Sequence, residues 1–167
     1  MPELSQRVGT FTDSVIRRMT RISNQYGAIN LSQGFPDFDP PKEIMDALVK
    51  AAYEGPHQYS ITYGAQNFRE ALAAKQGKAI HRTIDPNTEI VVTCGGTEAM
   101  MCAMMTICNP GDKVMVFSPF YENYGADAIL SGAEPIYIPL VPPEYEFDIR
   151  LVEQGFRDGA KAIIVCN

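Results

Sequence analysis

The chain has 167 residues, of which 46% are hydrophobic, and it carries a formal net charge of −6 from 20 acidic and 14 basic residues. This length and apolar content suffice for one sizeable core and exclude a disordered chain. No run of basic residues could neutralise nucleic acid or an anionic membrane, and no segment resembles a signal peptide or a membrane span. We therefore expect a cytoplasmic protein that has neither nucleic acid nor membrane as a partner.

Four cysteines, Cys94, Cys102, Cys108 and Cys166, lie inside apolar stretches. They show neither CxxC pairing nor neighbouring histidines, so we predict no metal site. Buried, reduced thiols are the favoured state and disulfides the alternative. Reduced thiols are typical of a cytosolic protein.

The first forty residues are predicted to form an arm and a loop segment. Apolar residues at Val15, Ile16, Met19 and Ile22 give partial helical periodicity and indicate a short helix. The run NLSQGFPDFDPP at 30–41 contains three prolines and a glycine, which favour extended or turning backbone. We place a domain boundary here, with residues 1–40 as the arm and substrate-loop segment and 41–167 as the main domain.

The main domain begins with two predicted helices and continues as alternating strands and helices. A helix from Pro41 is indicated by its apolar stripe and by the stop at Gly55, and a second helix should cover 65–80. Apolar runs of strand length follow at 90–94, 114–117, 136–140 and 162–166. This order predicts an α/β fold with a mainly parallel open sheet and helices on both faces. Because the last strand ends the chain, we expect a truncation there.

The run IVVTCGGTEA at 90–99 predicts a buried strand, a glycine turn and the start of a helix. Backbone N–H groups at a helix N-terminus bind anions, and glycines allow a phosphate to approach. A tight turn with Thr97 as the helix N-cap is the equally weighted alternative. Neither the GxGxxG fingerprint nor the P-loop occurs at this turn.

Aromatic residues follow the second predicted strand in FSPFYENY at 117–124. Ligands of open α/β sheets bind at the carboxyl ends of the strands, where Tyr121 could stack on a flat ring. The alternative is that Phe120, Tyr121 and Tyr124 only pack in the core or at its rim. The neighbouring glycine turn favours the ligand site.

These motifs together resemble the class I and II aminotransferases, which have the fold of pyridoxal-phosphate (PLP) dependent transferases. The similarity rests on NLSQGFPDFD at 30–39, QY at 58–59 with Gly64, CGGTEA at 94–99, NPGDKV at 109–114 and SPFYENY at 118–124. It extends over nearly the whole chain. The run LSQGFPDFDPP is most similar to the kynurenine, glutamine and methionine aminotransferase branch.

The resemblance implies PLP as the cofactor and assigns four residues to it. Gly96 and Thr97 resemble the residues whose N–H groups hold the phosphate, and Tyr121 resembles the aromatic that stacks on the pyridine ring. Tyr59 resembles the tyrosine that reaches the phosphate of the neighbouring subunit's cofactor, which implies a homodimer. A loop tyrosine at a rim is the alternative for Tyr59.

The resemblance also implies two substrate-binding residues. Gly34 resembles the loop residue that meets the substrate α-carboxylate, and Ile16 resembles an apolar residue that closes over bound substrate. For Ile16, an arm helix packed on the body of the protein would look the same. The implied substrates are an amino acid and a 2-oxo acid.

The family's Schiff-base lysine has no counterpart in this chain, because none of its lysines stands in a Ser-x-x-Lys context. We therefore assign no catalytic residue and expect the 167-residue chain, which lacks the C-terminal small domain, to be inactive alone. Amino transfer is the expected activity of the family member. A PLP-dependent β-lyase of the same fold and a non-catalytic truncated product are the alternatives.

Overall fold

The computed structural model describes residues 3–10 and 13–166. Within this part of the chain it contains six α-helices and three β-strands, and a short 3-10 helix at Gln6–Thr10 precedes them. In chain order the elements are α1 (Val15–Tyr26), α2 (Lys42–Glu54), α3 (Gln66–Ala79), α4 (Gly95–Ile107), β1 (Lys113–Ser118), α5 (Asn123–Leu130), β2 (Glu134–Pro139), α6 (Ile149–Arg157) and β3 (Ala160–Ile164). Two compact units result: residues 15–92, here the helical unit, and residues 1–14 with 93–167, here the sheet unit.

The helical unit contains the three helices that the sequence predicts. Helix α1 covers the arm helix, α2 begins directly after Pro41, and α3 lies within the predicted 65–80 segment. Gly55 ends α2, because its φ of 76° suits glycine and its N–H donates to the carbonyl of Ala51 at 3.0 Å. The domain boundary at residue 40 stays a prediction.

The apolar stripe of α2 is exposed. Its members, Ile44, Met45, Leu48 and Val49, have exposed fractions from 41% to 71%, and no residue of α2 is buried. The helical unit therefore does not use this stripe for a core of its own. Neither α2 nor any other described helix is long and apolar enough to cross a membrane.

A buried arginine holds the second half of the helical unit together. Arg69 in α3 is 1% exposed, and its guanidinium donates to the backbone carbonyls of Gly64, at 3.1 Å, and of Pro86. It also donates to the side-chain oxygens of Gln66 and Asn87. Because buried charges need such partners, Arg69 fixes the loops on both sides of α3 to the helix.

The predicted strand at 90–94 is wrong, since none of the described strands covers this segment. The N–H of Val92 donates to the carbonyl of Tyr63 at 3.0 Å, and the side chain of Val92 lies against Gly64. A Cβ on Gly64 would come within 2.3 Å of Cγ2 of Val92, so glycine is needed for this approach. The apolar run is explained by this contact with a loop, and a strand would require a hydrogen-bonded ladder with a neighbour.

The sheet unit confirms the predicted α/β class. Its three strands are parallel and lie in the order β2-β1-β3, and their bounds differ from the predicted 114–117, 136–140 and 162–166 by at most two residues. Helix α5 connects β1 to β2, and α6 connects β2 to β3. The sheet is open, with β1 at its centre.

Helices cover both faces of this sheet, as predicted. Along β1, Val114 and Val116 point to one face and belong to a core that includes Met104 of α4 and residues of α5. Met115 points to the opposite face, where a Cβ on Gly155 of α6 would lie 2.2 Å from its sulfur. Burial of a side chain of this size contributes roughly 1.5–3 kcal/mol.

The expectation of buried cysteines holds for one of the four. All four are free thiols, and Cys108 is buried at the end of α4. Cys94, Cys102 and Cys166 are exposed. Cys102 is exposed because α4 presents one side, with Met104, to the sheet core, whereas Cys94 lies just before α4 and Cys166 just after β3.

Candidate functional site

A cavity of about 350 Å³ lies in the sheet unit, where the N-termini of α4 and α5 meet. It is lined by Gly96, Thr97, Met100, Tyr121, Asn123, Tyr124 and Asp127. Three of the predicted site residues, Gly96, Thr97 and Tyr121, therefore share one cavity. A larger groove of about 590 Å³ runs along α3 in the helical unit, and it contains none of the predicted site residues.

The glycine turn builds the first wall of this cavity. Gly95 has a φ of 78°, and its N–H donates to the carbonyl of Thr93 at 2.8 Å. Helix α4 begins at Gly95 with Cys94 as its N-cap residue, so the alternative of Thr97 as N-cap is wrong. The carboxylate of Glu98 accepts a hydrogen bond from the N–H of Cys94, which occupies one of the donors at this helix end.

The backbone beside this turn is open to a ligand. A Cβ added to Gly95 or Gly96 would meet nothing within 4 Å. The N–H groups of the first helical turn have no acceptor within the helix, and the helix dipole adds positive potential there. An anionic group can therefore approach Gly96 and Thr97 at the backbone.

Aromatic residues between β1 and α5 form the second wall. Tyr121 is 49% exposed, and its ring meets that of Tyr124 edge-on at a centroid distance of 5.7 Å. Phe120 points elsewhere: it stacks on Tyr137 at 5.2 Å and packs against the sheet core. The alternative of core packing thus describes Phe120 and Tyr124, which both pack against the sheet core, while the ring of Tyr121 is available to a flat ligand.

Three polar residues complete the cavity without having been predicted. Asn123 donates from Nδ2 to Oγ1 of Thr97 at 3.0 Å and so links the two walls. A hydrogen bond with the thiol of Cys166 and then burial raise the pKa of Tyr124. Asp127 is 3% exposed, and burial raises the pKa of its carboxyl group. The spacing of Tyr124 and Asp127, three residues apart on a helix, could have indicated that they share a face.

The remaining predicted residues belong to the helical unit. Ile16 is half-buried in α1, and its carbonyl accepts a hydrogen bond from Oγ1 of Thr20 at 3.0 Å. Gly34 is exposed, and no atom lies within 4 Å of the position of an added Cβ. Tyr59 is fully exposed in the loop before α3. The substrate and partner-subunit roles of these three residues stay predictions.

Comparison with known proteins shows that the chain is similar to aminotransferases. The family model "Aminotransferase class I and II" matches residues 26–167. The mouse kynurenine–oxoglutarate transaminase 3 is 32% identical over 172 residues, covering 96% of this chain. The methionine aminotransferase of Escherichia coli is 36% identical over 135 residues, covering 81% of this chain. Both activities belong to the branch that the sequence motifs resemble.

Solved structures show the same similarity in three dimensions. The N-succinyldiaminopimelate aminotransferase from Mycobacterium tuberculosis superposes on 98% of this chain with a TM-score of 0.87 and 32% sequence identity. The chain spans only part of these proteins: 43% of that structure, 38% of the mouse protein and 35% of the E. coli protein.

Proposed function

The chain belongs to the class I and II aminotransferases, and from that premise we propose that it forms the PLP-binding part of an enzyme that moves an amino group from an amino acid to a 2-oxo acid. The observation that carries this proposal is the cavity shared by Gly96, Thr97 and Tyr121. Bound PLP supplies an electron sink for the amino acid carbon that loses its proton.

The cavity fits a phosphate-bearing flat ring. The N–H groups of Gly96 and Thr97 would hold the phosphate at the open, positive end of α4. Tyr121 would cover one face of the ring, and Asn123 keeps Thr97 in place through its hydrogen bond. This chain thereby binds and orients the cofactor, which is the protein's contribution in cofactor enzymes.

Substrate binding and assembly extend the proposal to the helical unit. Gly34 would meet the substrate carboxylate, Ile16 would close over the substrate, and Tyr59 would reach the cofactor phosphate of a second subunit in a homodimer. The full exposure of Tyr59 supports a role outside its own unit. Three exposed free thiols support a reducing, cytoplasmic location.

Binding of pyridoxamine 5′-phosphate tests the cofactor site. This ligand has no aldehyde, so it does not react with surface lysines. We expect titration calorimetry to show binding to the protein, and Tyr121→Ala to weaken it about tenfold, since aromatic stacking contributes about 0.5–1.5 kcal/mol. Pyridoxamine without the phosphate should bind much more weakly, because it cannot use the N-terminus of α4.

Tyr53→Ala is the matched control, because Tyr53 is an 85% exposed tyrosine of α2. It should leave the affinity unchanged. Equal affinities of the Tyr121→Ala and Tyr53→Ala variants would contradict the assigned cavity. For the whole enzyme, product formation that depends on an added 2-oxo acid supports transfer, and product formation without one indicates elimination instead.

A further inference from the structure

One carboxyl group of the cavity has no role in the proposed cofactor site. Asp127 lies on α5 and is 3% exposed, and its Oδ2 atom has no hydrogen-bond partner among the described residues. An unpartnered buried carboxylate costs free energy, so the neutral acid is favoured there. Asp127 is thus a buried proton-binding group in the wall of a cavity that suits an anion.

The groups around Asp127 provide no counter-charge. Among the described residues that line the cavity, none is Lys, Arg or His. The pKa of Tyr124 is raised, so its hydroxyl stays neutral at physiological pH. The thiol of Cys166 contacts Tyr124.

Two further acids stand near the cavity wall, and both have their own donors. The carboxylate of Glu98 accepts from the N–H of Cys94, and that of Glu122 accepts from Oγ of Ser14 at 2.7 Å. Among the described residues that line the cavity, no positively charged side chain therefore offsets a negative charge on Asp127 when an anion enters.

We infer that Asp127 is a ligand-binding residue of this cavity that makes anion binding proton-linked: a phosphate-bearing ligand binds the form in which the Asp127 carboxyl is protonated. An ionised Asp127 would place a second negative charge beside the phosphate in a poorly solvated site, where like charges repel strongly. Ligand binding therefore takes up a proton, and affinity falls as the pH rises through the pKa of Asp127. This inference rests on the proposed cofactor site.

The test compares the wild-type protein with Asp127→Asn, an isosteric variant that stays neutral, using pyridoxine 5′-phosphate as the probe from about pH 5 to about pH 8. Because the free ligand's phosphate titrates identically in both experiments, the ratio of the two dissociation constants reports the effect of Asp127 on the bound state. We expect the two proteins to bind alike at the acid end and the variant to bind about tenfold more tightly at the alkaline end, equivalent to one pKa unit of coupling. Glu134→Gln, which removes an exposed charge on β2, should follow the wild type.

A second measurement does not depend on any variant. Sulfate does not titrate in this range, so calorimetry of sulfate binding to the wild type in two buffers of different ionisation enthalpy counts protons taken up by the protein itself. Proton uptake supports the inference, and its absence overturns it.

The outcomes separate the inference from the proposed function. If both proteins bind the probe and their dissociation constants are equal at every pH, the role of Asp127 is overturned and the cofactor site is still supported. If neither the wild type nor Asp127→Asn binds pyridoxine 5′-phosphate, the cofactor site fails, and the inference fails with it.

Discussion

The two units of the molecule are stabilised in different ways. In the sheet unit, Val114, Met115 and Val116 of the central strand are at most 1% exposed, and helices cover both faces. In the helical unit, the side chain with the least exposure is a cation, Arg69, and the apolar stripe of α2 is uncovered. Helical periodicity alone therefore does not imply a core. The central strand of the sheet unit is held by apolar burial, whereas the most buried side chain of the helical unit is held by hydrogen bonds.

The largest expected effect is the loss of a core side chain in the sheet unit. Met104→Ala should lower the free energy of unfolding by about 2–5 kcal/mol, because Met104 is 2% exposed and its removal leaves a cavity. The adjacent Met105 is 65% exposed, so Met105→Ala should cost less than about 0.5 kcal/mol. Urea denaturation followed by tyrosine fluorescence measures both. Similar losses for the two variants would show that the core is not where we describe it.

The second effect concerns the helical unit. Arg69→Met keeps roughly the length of the side chain and removes its donors, so the carbonyls of Gly64 and Pro86 lose the hydrogen bonds that the buried guanidinium donates. We expect a loss of about 1.5–3 kcal/mol and faster amide hydrogen exchange confined to residues 63–92.

Arg82→Met is the control for this variant. Arg82 is an exposed arginine that pairs with Glu89 at 2.7 Å, and exposed ion pairs contribute little. If hydrogen exchange in 63–92 were unchanged by Arg69→Met, the helical unit would have another source of stability. The proposed difference in how the two units are stabilised would then be wrong.

The sequence predicted the elements whose signals are local. Prolines and glycines fixed the ends of α2, and apolar runs of strand length located β1, β2 and β3 within two residues. The run at 90–94 is also apolar and of strand length, yet it forms no strand, and its Val92 side chain packs against Gly64. Whether such a run meets a strand or a loop depends on a residue almost thirty positions away, which periodicity does not report.

The same limit applies to the candidate site. Gly96, Thr97 and Tyr121 belong to motifs, and the structure brings them to one cavity. Asp127 belongs to no motif, and its importance arises only from burial without a partner. The exposure of Cys102 was missed for the converse reason, because an apolar neighbourhood in sequence does not reveal which side of a helix is covered. Cys94 and Cys166 lie just outside a helix and a strand, at ends that the apolar pattern does not locate.

The third substitution, Asp127→Asn, should raise the stability, whereas Met104→Ala and Arg69→Met should lower it. The pKa of Asp127 is raised in the folded protein, so its contribution to stability is fully present below the unfolded value and is lost as the pH rises through the folded value. Asp127→Asn should therefore stabilise the sheet unit at neutral pH by roughly 1 kcal/mol. The gain should disappear below about pH 4, where the unfolded carboxyl is also protonated. Thermal melts across this range would contradict the interpretation if the variant were less stable at neutral pH.

The smallest expected effect is a change in stability at Asp148, an aspartate of the sheet unit that, unlike Asp127, has hydrogen-bond donors. Asp148 is the N-cap residue of α6, and its pKa is lowered by the side chain of Arg150 and then by the backbone N–H of Arg150, which donates at 2.9 Å. Because the folded pKa is depressed, this contribution is present above the ordinary aspartate value and is lost as the pH falls through the folded pKa. Asp148→Asn keeps a capping oxygen but loses the charge, so it should slightly lower the melting temperature at neutral pH and match the wild type in strong acid. At neutral pH we expect Asp127→Asn to stabilise the protein and Asp148→Asn to destabilise it, since the two aspartates differ mainly in whether the fold provides them with hydrogen-bond donors. If both variants changed the stability in the same direction, burial and the lack of a partner would not be what determines the charge state of Asp127.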